Sequence, residues 1–248
     1  MKYKALLCIA LLWHLALPAQ AALQDSIKKI KPSVVAIGVF SPLASPRVRL
    51  VGTGFVVADG SKIVTNYHVI ATAPDVKRNE SYVVLSGQAD NIQIHQIIDT
   101  KTQTAHDLAV LTIEAKLPAA TLADAEFINE GTEIAFTGFP ISAVLGLYPA
   151  THRGIISAVT PIAIPADHSG QLQASALRQL RQPFMVYQLD ATAYPGNSGS
   201  PLFDANTAQV IGIINKVYVK STREAVLSDP SGITYAIPVK FLLPLLTQ

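Results

Sequence analysis

The sequence predicts an all-β fold, a barrel or a sandwich built from short strands. Half of the 248 residues are hydrophobic, yet 16 prolines and 14 glycines cut the chain into brief segments. Val, Ile, Tyr and Phe dominate those segments, and Gly, Pro, Asn or Asp fill most of the gaps. Helical spacing is confined to three places, so alternating βαβ units are not expected.

Taken in order, residues 1–21 read as a secretory signal. Lys2 and Lys4 give a positive start, Ala5–Leu17 is largely apolar, and Ala19-Gln20-Ala21 supplies an A-x-A cleavage site. The apolar stretch is short for a membrane span, and His14 interrupts it. Leu23, Ile27 and Ile30, spaced four and three apart, predict a helix over Leu23–Ile30. A first strand series is expected at Val34–Phe40, Gly54–Val57, Ile63–Asn66, Tyr82–Leu85, Ile92–Ile98, Leu108–Ile113 and Glu133–Phe136. A second follows at His152–Val159, Phe184–Gln188, Pro201–Phe203, Val210–Ile214 and Thr234–Ile237. Gln171–Arg181 and Val239–Leu246 are the other helical candidates; the latter is brief and holds Pro244, as suits a terminal docking helix. The two series part at a Gly/Pro-containing stretch near Gly138–Leu147. The expected division is a signal over 1–21 and a folded region over 22–248, with halves at about 32–138 and about 148–238.

Cys8, the only cysteine, lies inside the expected signal. The exported chain then carries no disulfide, no thiolate nucleophile and no cysteine-based zinc site. Its 19 basic and 17 acidic residues come into balance once Lys2 and Lys4 are removed, which gives no support for nucleic-acid binding or an acidic membrane surface. No H-E-x-x-H or similar spacing occurs, so no metal site is expected.

The most specific signal is Gly196-Asn197-Ser198-Gly199-Ser200-Pro201. A serine hydroxyl is a weak nucleophile until a base, an orienting group and oxyanion donors surround it. Flanking glycines let the backbone turn sharply and bring N–H groups close to a carbonyl. The segment is equally turn chemistry, and it does not fit the G-x-S-x-G elbow. Thr65-Asn66-Tyr67-His68-Val69 supplies a candidate base, His68, although a histidine at a strand end is as readily structural. Asp107, just before the apolar run Leu108–Leu111, is the candidate orienter of the His68 ring. His95, His106, His152 and His168 lack a comparable setting, and Asp90 and Asp99 sit in polar surroundings. Together the three residues give the chain order His, Asp, Ser. Backbone N–H groups of Gly196 and Ser198, with Asn197 between them, are the expected oxyanion hole. Gly52-Thr53-Gly54 reads as a strand glycine pair allowing close backbone approach.

These segments resemble the chymotrypsin-fold serine proteases, in particular their bacterial HtrA/Deg-like branch. Leu23–Gly38 is similar to that branch's entry helix and first strand. Gly52–Val57, Ile63–Val69, Asp107–Leu111, Gly138-Phe139-Pro140, Gly154–Ser157, Leu189-Asp190-Ala191, Gly196–Leu202 and Tyr235–Pro238 match its landmarks in order. The resemblance implies two six-stranded antiparallel β-barrels with short terminal helices. It also implies peptide-bond hydrolysis through a His68–Asp107–Ser198 triad and an acyl-enzyme, with no cofactor. Ser200 replaces the branch's usual second glycine after the nucleophile, and activation through the branch's peptide-binding PDZ domain is not expected. Gly-Asn-Ser-Gly-Ser-Pro is similar instead to glutamyl endopeptidases, which place a histidine where this chain has Ile214-Asn215.

For specificity, Thr192 stands where trypsin-like enzymes carry an aspartate. Thr192, Ile214 and Asn215 are the expected lining of the primary pocket, which without a carboxylate suits a small or apolar side chain. Residues 161–183 form an insertion longer than a hairpin needs, read either as a loop beside the site or as a surface insertion without a role. Protein or peptide substrates, with self-association left open, and an exported location, periplasmic or secreted, complete the expectation. Its rival is a catalytically silent binding or holdase protein on the same fold.

Overall fold

The computed structural model describes residues 19–88, 91–140, 147–162, 184–217 and 233–247. Among them, six strands close one antiparallel barrel: β1 (Val34–Phe40), β2 (Val48–Val57), β3 (Lys62–Asn66), β4 (Ser81–Gln88), β5 (Asn91–Gln103) and β6 (Leu108–Ile113), in the order β1-β2-β3-β6-β5-β4. A second barrel contains β7 (Glu133–Gly138), β8 (Ala150–Pro161), β9 (Met185–Asp190), β10 (Pro201–Asp204), β11 (Val210–Val217) and β12 (Ile233–Pro238), ordered β10-β11-β12-β9-β8-β7. Closure pairs every strand on both sides, which removes the exposed edges an open sheet would present. The double barrel implied by the family resemblance is therefore the fold.

The passage between barrels differs from the expectation. β7 pairs with β8 and β10, so Glu133–Gly138 opens the second barrel, and the crossing falls at 114–132 instead of near Gly138–Leu147. The apolar run at 133–136 identified a strand but carried no information about which neighbours would bond to it. β2 also begins at Val48, well ahead of Gly54. Its buried half ends in Phe55, Val56 and Val57, whereas the exposed Arg49 interrupts the apolar Val48–Val51 of the other half and hides the pattern. The polar Asp99–Gln103 similarly belongs to β5, whose register with β6 continues to Gln103 opposite Leu108.

Helix α1 (Ala19–Ile30) extends beyond both ends of a signal-to-domain junction at residue 21; most of the expected signal lies outside the described residues. Its register is set by Leu23, Ile27 and Ile30, which pack on a core shared by both barrels, and the Ser33 hydroxyl closes its end on the Ile30 carbonyl at 2.7 Å. A single turn, α2 (Tyr67–Ile70), follows β3 and was not anticipated by periodicity. The C-terminal segment is a 3₁₀ turn over Val239–Phe241 leading to α3 (Leu243–Thr247), with Pro244 in the first turn, where it costs no backbone hydrogen bond. The expected helix at Gln171–Arg181 and nearly all of the 161–183 insertion lie outside the described residues.

One apolar cluster runs from Phe55, Val64 and Leu108 of the first barrel into Phe139, Phe203 and Ile237 of the second. Separate clusters fill the remainder of each barrel, around Ile63 and Leu111 in the first and around Phe136 and Tyr187 in the second. A continuous core of this kind holds the facing ends of β2, β3, β6 and β10 in fixed register.

Candidate active site

His68 and Asp107 meet because β3 and β6 pair with Asn66 opposite Leu108. That register leaves Asp107 one step beyond β6, at the end of the Thr104–His106 turn, beside the first residues of α2. Asp107 adopts a left-handed backbone (φ 54°), a conformation aspartate tolerates better than most residues. Its carbonyl accepts the Tyr67 N–H at 3.0 Å and the Asn66 Nδ2–H at 3.2 Å. Its carboxylate accepts the His68 N–H at Oδ1 (2.8 Å) and bonds His68 Nδ1 at Oδ2 (2.6 Å). An ionised carboxylate only accepts, so Nδ1 must carry the proton and Nε2 presents its lone pair. Asp107 is buried while the His68 side chain is 38% exposed, so the ring is held from behind and open in front.

Ser198 sits in the turn between β9 and β10, with Gly196 (φ 100°) and Gly199 (φ 87°) on either side. Its carbonyl accepts the Thr53 N–H at 2.9 Å. Next along β2, the missing side chain of Gly52 leaves a gap between the Val69 side chain, adjacent to His68, and the Ser198 carbonyl: a Cβ there would lie 2.7 Å from one and 3.3 Å from the other. The turn carrying Ser198 thus abuts the segment carrying His68 across a single glycine. The Ser198 hydroxyl itself donates to the Asn215 carbonyl at 2.9 Å, and no hydrogen bond joins it to His68. Among the described residues, neither the Gly196 nor the Ser198 N–H is taken by a backbone acceptor.

The residues expected to frame a primary pocket fall into two groups. Thr192 is half-buried in the stretch Ala191–Ala193, which Thr234 fixes by donating to the Ala191 carbonyl (2.6 Å) and accepting the Ala193 N–H (3.1 Å). Ile214 is fully buried in the core of the second barrel. Asn215, also buried, turns its carbonyl to Ser198, and its Oδ1 has no partner among the described residues.

The rival histidines are engaged elsewhere. His95 bonds the Ser86 hydroxyl at 2.7 Å, His106 lies between Phe184 and Phe241, and His152 stacks on Phe136. Burial lowers the pKa of each of these three, favouring the neutral ring. His168 and Asp90 lie outside the described residues, and Asp99 is exposed on β5.

Sequence reasoning missed Thr53, Thr65 and Asn66. Asn66 helps hold Asp107, and the Thr65 hydroxyl donates to the Thr53 carbonyl at 2.7 Å. The hydroxyl of Thr53 donates to the Gly196 carbonyl at 2.7 Å and accepts the Phe139 N–H at 3.0 Å. The available signal was a hydroxyl-bearing residue between two glycines, where a backbone approaches closely and can be bonded.

Two closed antiparallel barrels, with a His–Asp pair on one and a glycine-flanked serine on the other, define the trypsin-like class. The chain belongs to the trypsin-like peptidase domain family, which matches residues 52–213. It is 30% identical over 81% of its length to a probable periplasmic serine endoprotease, DegP-like, from Halomonas elongata. It is 33% identical over 82% of its length to the magnetosome formation protease MamE of Magnetospirillum gryphiswaldense. The chain spans only 35% and 24% of the length of those two relatives. Among solved structures, the HtrA-type protease AlgW with tripeptide superposes with a TM-score of 0.64 at 26% identity, over 91% of this chain and 62% of that one. Deg5 shares the fold, with a TM-score of 0.62 at 24% identity over 91% of this chain and 92% of its own. Among the described residues no helix is long and apolar enough to cross a membrane.

Proposed function

We propose that this chain is a serine endopeptidase with Ser198 as nucleophile, His68 as base and Asp107 as orienter. The observation that carries the reading is the double hold of Asp107 on His68, at the backbone N–H and at Nδ1. It fixes both the position and the tautomer of the imidazole, leaving Nε2 to accept a proton. The Ser198 hydroxyl leaves the Asn215 carbonyl by rotation about its Cα–Cβ bond. Its proton passes to Nε2 as Oγ bonds the scissile carbonyl carbon, and the Gly196 and Ser198 N–H groups receive the oxyanion. Collapse breaks the C–N bond, and the amine departs with the proton from His68. Water then repeats the sequence on the acyl-enzyme.

Thr192 and Asn215 frame the primary pocket, with Ile214 set in the core of the same barrel, and without a carboxylate the pocket takes a small or apolar side chain. The leader-like residues 1–21 and the DegP-like relatives support an exported, periplasmic protein acting on proteins or peptides. The Ser198–Asn215 hydrogen bond favours a second reading, a silent protein that binds polypeptide without cutting it. A fluorophosphonate probe separates the two. It labels the wild-type chain and not Ser198→Ala, and casein cleavage is lost in the same variant. A folded wild-type chain that takes no label, and protects substrate without cleaving it, refutes the endopeptidase reading.

A further inference from the structure

We infer that the Thr53 hydroxyl is a positioning group that sets the Gly196–Ser198 turn against the His68–Asp107 pair. The inference rests on the endopeptidase reading of the site and adds to it a residue whose role is to hold the turn that carries the oxyanion donors. Thr53 is completely buried on β2, in the first barrel, and each of its polar atoms is engaged. Its N–H is given to the Ser198 carbonyl (2.9 Å), its hydroxyl proton to the Gly196 carbonyl (2.7 Å), and its hydroxyl oxygen accepts the Phe139 N–H (3.0 Å). Its own carbonyl accepts the Thr65 hydroxyl at 2.7 Å.

These bonds form one connected path between the two halves of the site. Thr65 lies on β3, which leads through Asn66 and Tyr67 into His68. Gly196 and Ser198 lie on the turn of the second barrel, and Phe139 follows β7 of that same barrel. A peptide unit is planar, so fixing the Gly196 and Ser198 carbonyls fixes the units that carry the Asn197 and Gly199 N–H groups, which flank the Asn197–Ser198 unit that presents the Ser198 N–H. Three consecutive carbonyls orient this turn. Thr53 holds those of Gly196 and Ser198, and the Ser200 N–H holds that of Asn197 at 3.0 Å. The backbone share of this hold is available to any residue at position 53. The Gly196 share needs a hydroxyl. Without it the buried Phe139 N–H loses its acceptor and the half-buried Gly196 carbonyl its donor, and the turn can relax away from the geometry that presents its N–H groups.

Thr53→Val keeps the β-branched shape and deletes the hydroxyl, Thr53→Ala deletes it with less bulk, and Thr53→Ser retains it. All are made in the full chain beside wild type and Ser198→Ala, and read by peptide hydrolysis, fluorophosphonate labelling and amide hydrogen exchange over residues 196–200. Thr53→Val is expected to lose about 10-fold or more in kcat, less than the 10²–10³ that follows removal of an oxyanion donor. KM should stay within about twofold, because substrate binding is not the step disturbed. Exchange at 196–200 should accelerate, and Thr53→Ser should restore both rate and protection. Wild-type kcat in Thr53→Val, or equal damage in Thr53→Ser, overturns the inference. If Thr53→Val does not fold, the comparison of Thr53→Ala with Thr53→Ser decides by the same criteria. A wild-type chain that is neither labelled nor active defeats the endopeptidase reading instead, and hydrogen exchange still decides whether the hydroxyl orders the turn.

Discussion

A methyl group on Gly199 would overlap the Thr53 carbonyl oxygen and the Thr65 hydroxyl, at a backbone φ of 87° that L side chains rarely adopt. Gly199 also donates its N–H to the Ile214 carbonyl at 2.8 Å, so it cannot swing aside without losing β11. Gly199→Ala is therefore expected to lower stability by about 2 kcal/mol or more, from left-handed strain and overlap together. Labelling at the adjacent Ser198 should drop in parallel; urea unfolding and probe kinetics on one preparation measure both, and a neutral variant would contradict the packing described. Gly199 and the serine beside it were legible in the sequence, since a short run of small residues ahead of a strand signals a tight turn. The bonds that hold the turn were not, because they come from Thr53 and Thr65, more than a hundred residues away. A hydroxyl in a strand carries no mark of the partner that folding will bring to it.

Among the elements, α1 is the one whose role can be measured most directly. Ile30 is fully buried where the helix meets both barrels, with Leu23 and Ile27 packed on the same cluster. Truncating it removes three carbons from a core that cannot fully close around the gap, so Ile30→Ala should cost about 2–5 kcal/mol. Chemical denaturation with an unchanged m-value would check this, and a loss below about 0.5 kcal/mol would mean the helix is not docked as described. The spacing of Leu23, Ile27 and Ile30 made this helix readable, and the apolar runs at Val34–Phe40 and Leu108–Ile113 gave two strands with their observed ends. Strands with one exposed face were truncated by the same reasoning. Val48–Leu50 and Asp99–Gln103 are held in their barrels by backbone bonds to β1 and β6, which any side chain permits. Periodicity also could not assign Glu133–Gly138 to a barrel, because strand order depends on partners distant in the chain.

For the molecule as a whole, the two barrels and the C-terminal segment converge on His106. Its ring stacks on Phe241 at 4.4 Å and 22° and meets Phe184 edge-on at 4.7 Å and 81°. Phe184 leads into β9 of the second barrel, Phe241 precedes α3, and His106 is the neighbour of Asp107 in the first barrel. The buried Nδ1 of His106 has no partner among the described residues, and burial lowers its pKa below the ordinary histidine value. His152 and His95 are shifted the same way for the same reason. The sign of the consequence is fixed by linkage. Each ring binds its proton more tightly unfolded than folded, so acid favours the unfolded chain. Their contribution is whole above the unfolded value of about 6.5 and is lost progressively as pH falls through it toward the lowered folded value. Tm should thus decline between about pH 7 and about pH 5, before most carboxylates begin to titrate. His106→Phe keeps an aromatic ring in the cluster and deletes one of the three titrations, so its Tm should match or exceed wild type at about pH 8 and fall less steeply toward acid. Calorimetry of both proteins across this range decides the matter: parallel profiles would mean that His106 does not unfold the junction when it takes a proton.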